Sequence, residues 1–144
     1  MRRIKSFEEY LKEGIVRKVT PDVQRAENLF MESKRKYVLL QKIIKHMGID
    51  NENANEYLES CYNIILFVIR GKMLLEGYYA SGTGAHEAEV SYAKNISFSE
   101  KELEFLDQLR YFRNGILYYG KRFEKDYAQK VINFLEAIYQ KLQR

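Results

Sequence analysis

The sequence predicts an all-α fold, an up-down helical bundle of four to five main helices. Apolar residues recur at alternating spacings of three and four along most of the 144 residues, which is the pattern of amphipathic helices. No stretch shows the sustained apolar-polar alternation of a half-buried strand. The Asn114-Gly115 step lies inside a helical stripe, and not between two β-branched runs where it would indicate a hairpin.

The chain is long enough for one hydrophobic core and too short for two ordinary domains. We therefore expect a single helical domain over residues 1–144. Residues 1–19 carry a weak helical stripe and are predicted to form an N-terminal helical extension, with the bundle core over residues 20–144. The apolar positions of this weak stripe are Ile4, Phe7, Leu11 and Ile15.

The first long helix has a start signal at Thr20-Pro21, where Thr20 offers a capping hydroxyl and Pro21 suits the first helical position. It is predicted to end at Gly48. Its other face is charged, so one side should be buried and one solvated. The mostly apolar stripe comprises Val23, Ala26, Phe30, Ser33, Tyr37, Leu40, Ile44 and Met47.

A second long helix is predicted to begin near Asp50-Asn51 and to run to about Tyr79. Its middle is apolar on nearly every side, which indicates a helix enclosed by neighbours or one that also forms a subunit contact. Gly71 and Gly77 would allow another helix to come close. Cys61, the single cysteine, is expected to be a buried and inert thiol.

Two helix starts follow the flexible loop 80–84. Ala85 is expected to open a short helix, and Ser99 with Glu102 three residues later matches a capping box. The stripe behind Ser99 comprises Phe105, Leu109, Phe112, Ile116 and Tyr119, and that of the C-terminal helix comprises Tyr127, Val131, Phe134, Ile138 and Leu142.

Composition and charge exclude several classes of protein. Hydrophobic residues make up 46% and charged residues 31%, with a net charge of +4, so the chain is globular and less basic than a dedicated nucleic-acid binder. The apolar run 64–69 is too short to span a bilayer, and no signal core follows the basic N-terminus, so we expect a cytoplasmic protein that crosses no membrane.

Bound metals and other cofactors are not expected. Two isolated histidines and one cysteine provide no ligand set at useful spacing. Gly77, Gly82 and Gly84 lack the Lys-Ser/Thr step of a phosphate-binding loop, which excludes a nucleotide-hydrolysing enzyme of that type.

The most informative stretch is residues 110–120, where Arg110, Arg113 and Asn114 interrupt an apolar and aromatic helix. An isolated buried charge costs several kcal/mol to desolvate unless it is paired. These residues therefore imply a polar partner, which could be a carboxylate, a facing subunit or an anionic ligand.

The order of these features resembles a HEPN domain over about residues 20 to 143. A long capped helix is followed by an apolar central helix, by a Gly-Ser loop that leads into Ala85-His86-Glu87-Ala88, and by Leu-Arg-x-x-Arg-Asn at 109–114. In that family two protomers usually pair so that their last-but-one helices face each other across a cleft. Many members are metal-independent ribonucleases, whose signature is an arginine, commonly followed by a polar residue, and a histidine four to six residues beyond the arginine.

This chain keeps half of the family signature. The resemblance places the arginine at Arg113 and the polar residue at Asn114, but Tyr118 and Tyr119 stand where the histidine would be. Arg113 can stabilise the charge of a phosphorane, whereas a tyrosine is a poor base at neutral pH because a phenol ordinarily titrates near 10. We expect cleavage activity to be reduced by orders of magnitude or absent, with Arg113, Asn114, Tyr118 and Tyr119 as the candidate catalytic set.

Three functions follow from the resemblance. The first is a catalytically degenerate homodimer in a toxin-antitoxin-like system that binds a small nucleotidyltransferase partner, a nucleotide or RNA. The second is a metal-independent endoribonuclease that uses Arg113 with Tyr118 or Tyr119. The third is a purely structural adaptor bundle. The candidate binding residues are Arg110, His86, Glu87 and Tyr79.

Structural explanations stay open beside these roles. Arg113 and Asn114 can pair with Glu104, with Asp107 or with a partner protomer only to hold helices together. His86 can hydrogen-bond the preceding loop. The tyrosines near the arginines suit a subunit interface or, less commonly, stacking on RNA bases.

Overall fold

The computed structural model describes residues 4–143 and confirms an all-α helical bundle. These residues hold six α-helices, one 3-10 helix and two short strands. In chain order the elements are α1 (Phe7–Lys12), β1 (Val16–Lys18), α2 (Val23–Met47), α3 (Ala54–Glu76), β2 (Tyr78–Ala80), α4 (Ala85–Ser91), the 3-10 helix (Tyr92–Ile96), α5 (Glu100–Tyr119) and α6 (Lys125–Leu142).

Helix α3 is the centre of the bundle. It packs against α2, α5 and α6 and against the shorter elements at its C-terminal end. Its buried residues lie on all sides of the helix, as its apolar middle predicts. The largest of the fully buried side chains of α3 are Tyr62, Leu58, Ile64, Ile65, Ile69 and Met73.

The contact between α2 and α3 is close because one residue of α3 has no side chain. A Cβ atom on Gly71 would lie 2.4 Å from the Phe30 ring, so the glycine makes room for the phenyl group. Nearby, the buried Ser33 hydroxyl donates a hydrogen bond of 2.7 Å to the Ile64 carbonyl. The expectation that Gly71 permits close approach of another helix is confirmed.

The N-terminal segment is only partly helical, so the prediction of a helical extension over residues 1–19 is wrong in detail. Helix α1 is six residues long, and Gly14 follows it at φ +78°. Strand β1 then pairs antiparallel with β2, Val16 opposite Ala80. A three-residue strand cannot be recognised from period, because its partner lies far along the chain. Residues 1–3 of the predicted extension lie outside the described residues.

Three predicted helix ends are displaced. Helix α3 begins at Ala54 and not near Asp50-Asn51, because the Asp50 carboxylate instead holds a turn by accepting from the Glu52 and Asn53 amides. Asp22, and not Thr20, is the N-cap of α2, since its carboxylate accepts a hydrogen bond of 3.0 Å from the Arg25 amide. Helix α3 ends at Glu76 and not near Tyr79, because Gly77 adopts φ +81°. A Cβ at Gly77 would lie 2.7 Å from the Val19 carbonyl oxygen, so glycine is required there.

The two ends of α5 are fixed differently. At its start, Ser99 and Glu102 exchange hydrogen bonds of 2.9 and 3.2 Å in the predicted capping box. After its end, the segment 120–124 is held to the beginning of α3, because the Asn55 side chain donates to the Lys121 carbonyl and accepts from the Phe123 amide.

Cys61 lies fully buried on α3, as expected, and burial raises the pKa of its thiol to about 12. A thiol that stays protonated at neutral pH is a poor nucleophile. Across residues 4–143, none of the helices is both long and apolar enough to cross a membrane.

Leu58→Ala should test the role of α3 as the centre of the core. Leu58 is fully buried, so we expect the free energy of unfolding to fall by about 3 kcal/mol through lost burial and a residual cavity. Leu39→Ala is the matched control, because Leu39 is about half exposed on α2 and should change the value by less than about 0.5 kcal/mol. Urea denaturation followed by circular dichroism measures both, and equal losses would contradict the assignment.

Candidate functional site

One side of α5 is buried in the core at its beginning and exposed to solvent at its end. Leu106, Arg110, Arg113 and Leu117 follow one another at spacings of four, three and four, which places them on one side of the helix. Leu106 and Arg110 are buried and Arg113 is half-buried, but Leu117 is 49% exposed. The last turns of α5 therefore extend past the helices that cover its beginning, and they leave an apolar side chain uncovered.

Arg113 lies over the ring of Tyr62 on α3. The guanidinium carbon is 5.2 Å from the ring centroid, a cation-π contact. The Nε atom of Arg113 is buried and has no hydrogen-bond partner among residues 4–143, and the same is true of the buried Tyr62 hydroxyl. A buried donor without an acceptor is unusual in a folded protein, so Arg113 is the outstanding polar feature of this face.

The other candidate catalytic residues do not contact Arg113 within one protomer. Tyr118 is 74% exposed and Tyr119 is 84% exposed. Among the described residues no hydrogen bond, ion pair or ring contact joins either tyrosine to Arg113. Asn114 is half-buried and likewise makes no side-chain hydrogen bond in this part of the chain. Together with the half-exposed Tyr111, these side chains give the end of α5 an aromatic surface.

Arg110 is buried and fully engaged. Its Nε atom donates a hydrogen bond of 2.8 Å to Oδ1 of Asp107, which is also buried, and its Nη1 atom lies 3.9 Å from Oε1 of Glu87 on α4. Asp107, which the sequence offered as a partner for Arg113, thus pairs with Arg110 instead. A spacing of three residues places Asp107 beside Arg110, whereas six residues separate Asp107 from Arg113.

A second ion pair joins α3 to α4. Arg70 binds the buried carboxylate of Glu89 with two hydrogen bonds, of 2.6 and 3.2 Å. The Nδ1 atom of His86 lies 3.2 Å from Oε1 of the same carboxylate. The histidine therefore bonds a side chain of its own helix, and not the preceding loop as the structural explanation had it.

Tyr62 lies among these charges. Burial is the main cause that raises the pKa of its hydroxyl, and the negative charge of Glu89 adds to the effect. Arg113, Arg110 and Arg70 act in the opposite direction. The two ion pairs and Arg113 therefore lie around one neutral phenol. These polar groups come from α3, α4 and α5, which meet at this point.

Tyr79 belongs to a different region. It lies in β2, with the guanidinium carbons of Arg17 and Arg25 5.8 and 5.9 Å from its ring centroid. Tyr79 and His86 both line a cavity of about 310 Å³ beside β2, to which neither Arg110 nor Arg113 contributes. The structure thus divides the sequence-predicted residues into an α5 group and a cavity group. The α5 group comprises Arg110, Arg113, Asn114, Tyr118 and Tyr119, with Glu87 beside Arg110; the cavity group comprises Tyr79 and His86.

Three polar residues of this region were missed as candidates, Tyr62, Arg70 and Glu89, and Asp107 was considered only as a partner of Arg113. A signal for two of them is present in the sequence, because Tyr62 and Arg70 flank the apolar run of a helix predicted to be enclosed. An ionisable group on such a helix needs a partner. Within residues 4–143, no group of three or more histidine, cysteine, aspartate or glutamate side chains could hold a metal ion.

Comparison of the chain with protein-family models, with curated proteins and with solved structures finds no significant match.

Asp107→Asn should test the buried pair with Arg110. Removing one charge leaves the buried Arg110 guanidinium with only the more distant carboxylate of Glu87, 3.9 Å away, so we expect the free energy of unfolding to fall by about 3 kcal/mol. Glu104→Gln, one turn earlier on the exposed side of α5, is the control and should change it by less than about 0.5 kcal/mol. Chemical denaturation of both variants provides the comparison, and a near-neutral Asp107→Asn would contradict the pairing.

Proposed function

We propose that this chain is a HEPN-like helical module that pairs with a second copy of itself and uses the end of α5 to bind a partner, and that it does not cleave RNA. One observation carries the proposal: the half-buried Arg113 has no carboxylate partner among residues 4–143 and lies one helical turn from the exposed Leu117, near the aromatic end of α5. Tyrosine and arginine are enriched at protein interfaces, where the aromatic ring supplies contact area and the polar tip remains hydrogen-bonded.

The partner of Arg113 should carry negative charge. Neither Asp107 nor Glu87 serves Arg113, since both lie against Arg110. The groups that fit are a phosphate of RNA or of a nucleotide, or a carboxylate of a nucleotidyltransferase-type partner. This chemistry agrees with the resemblance to modules of toxin-antitoxin-like systems.

Binding is favoured over catalysis because no general base lies beside Arg113 in the part of the chain that the structure describes. Metal-free cleavage of RNA requires a group that takes the 2′-hydroxyl proton or protonates the leaving oxygen. The 2 histidines of the chain are not on α5, and His86 is bound to Glu89. Tyr118 and Tyr119 extend into solvent, where nothing in the protomer would activate a phenol. A ribonuclease that uses Arg113 with one of these tyrosines remains the alternative, and a purely structural adaptor remains the third.

Leu117→Glu should separate the two copies. A charge at the exposed apolar position would be desolvated on pairing, so light scattering coupled to gel filtration should give a dimer mass for the wild type and a monomer mass for the variant. Met31→Glu is the control, because Met31 is also exposed and apolar but lies on α2. A monomeric wild type, or dimer loss in both variants, would contradict pairing through α5.

Arg113→Ala should abolish binding of labelled single-stranded RNA while the fold is retained. With EDTA at neutral pH we expect the wild type to bind, more weakly as salt is added, and to leave the RNA intact. Arg122→Ala is the control, an exposed cation that follows α5.

Three outcomes would change the assignment. Cleavage by the wild type that disappears in Arg113→Ala would establish the ribonuclease instead. Equal RNA binding by wild type and Arg113→Ala would remove the role of Arg113. A dimer that binds neither RNA nor a co-expressed nucleotidyltransferase would favour the structural adaptor.

A further inference from the structure

The cavity beside β2 has the dimensions of a small-ligand site. It lies between the first turns of α2, the second half of α3, strand β2 and the start of α4, and its volume is about 310 Å³. Pockets that hold small molecules begin at about this size. None of the residues assigned above to partner binding on α5 lines it, so it is a separate region of the molecule.

About half of the residues that line the cavity are apolar. Leu29 and Phe67 are half-buried and line it together with the buried Met73 and Leu74. No amide and no aliphatic hydroxyl side chain lines it; apart from two tyrosines, its polar side chains are all ionisable. Arg70, Glu89 and His86 are bonded to one another, so a ligand with several hydroxyl groups, such as a ribose, would find few free partners here, whereas an apolar body would gain by leaving water.

Two guanidinium groups and one carboxylate line the cavity. Glu89 is already saturated by Arg70 and by the Nδ1 atom of His86. Arg25 has no such partner: within residues 4–143 its guanidinium makes no ion pair, and it lies 5.9 Å from the Tyr79 ring centroid. The two guanidinium groups and one carboxylate of the lining therefore leave one positive charge without a counter-charge among the described residues, on the exposed Arg25.

We propose that this cavity binds a small monocarboxylate with an apolar body of about the size of a phenyl group. Its carboxylate lies on the Arg25 guanidinium, and its body packs against Leu29 and Phe67. One planar guanidinium matches one carboxylate with two parallel hydrogen bonds.

The probes are 3-phenylpropionate and octanoate, each beside its neutral amide, titrated into ¹⁵N-labelled full-length protein. We expect saturable shifts of the Ala80 and Ala85 amide signals, because both residues line the cavity. The acids should bind roughly tenfold more tightly than the amides, since a charge-assisted hydrogen bond exceeds a neutral one by that order.

Arg25→Gln should remove this preference for acids, and Leu29→Trp, which fills the apolar wall, should remove binding of acids and amides alike. Arg17→Gln is the matched control: Arg17 lies at a similar distance from the Tyr79 ring but does not line the cavity. Binding should be unchanged in this variant. Binding should also be unchanged in Arg113→Ala. The carboxylate-site proposal and the proposed function of α5 are therefore tested independently.

Several results would overturn the proposal. Equal binding of acids and amides would mean that no carboxylate is recognised. If Arg17→Gln lost the preference for acids as fully as Arg25→Gln, the acids would be held by a general attraction of anions and not by Arg25. Tighter binding of adenosine monophosphate than of either acid would assign the cavity to a nucleotide. An absence of saturable shifts with both acids would mean that the cavity is not a carboxylate site.

Discussion

Helix α3 has apolar side chains on nearly every side, so it is stable in water only when other elements cover it all round. This requirement fixes the positions of α2, α5 and α6, which surround it. It also explains why the enclosed middle of this helix can carry Tyr62 and Arg70: both lie at positions where polar groups of α4 or α5 face them. The polar contacts between α3, α4 and α5 thus follow from the way in which other elements enclose α3.

The arginines between α3, α4 and α5 are unevenly paired. Arg70 is paired with Glu89, and Arg110 with both Asp107 and Glu87. Arg113, the next arginine along α5, is left with the face of an aromatic ring and has no carboxylate partner among residues 4–143. A guanidinium that stacks on a ring keeps its in-plane donors available for another acceptor, so the same side chain can help hold α5 in place and still bind an anion.

Local signals in the sequence predict most of the fold. The capping box of Ser99 and Glu102 involves four consecutive residues and needs no tertiary contact, and the enclosure of α3 follows from its composition. Strand β1 could not be foreseen, since its hydrogen-bond partners come from β2 after two long helices. The site divides in the same way. The Asp107–Arg110 pair follows from helical spacing, whereas the pairing of Arg70 with Glu89 depends on how α4 packs on α3.

The segment after α5 is anchored by side-chain hydrogen bonds, although the aromatic helix end beside it is exposed. Asn55 holds residues 121 and 123, and Asn51 accepts a hydrogen bond of 2.9 Å from the Lys125 amide. These side chains hold the segment after α5 against the residues at the beginning of α3. In the role proposed for this helix end, a surface anchored in this way loses less conformational entropy when a partner binds. Association there should resemble the docking of rigid bodies, without the slow rearrangement that a loose helix end would require.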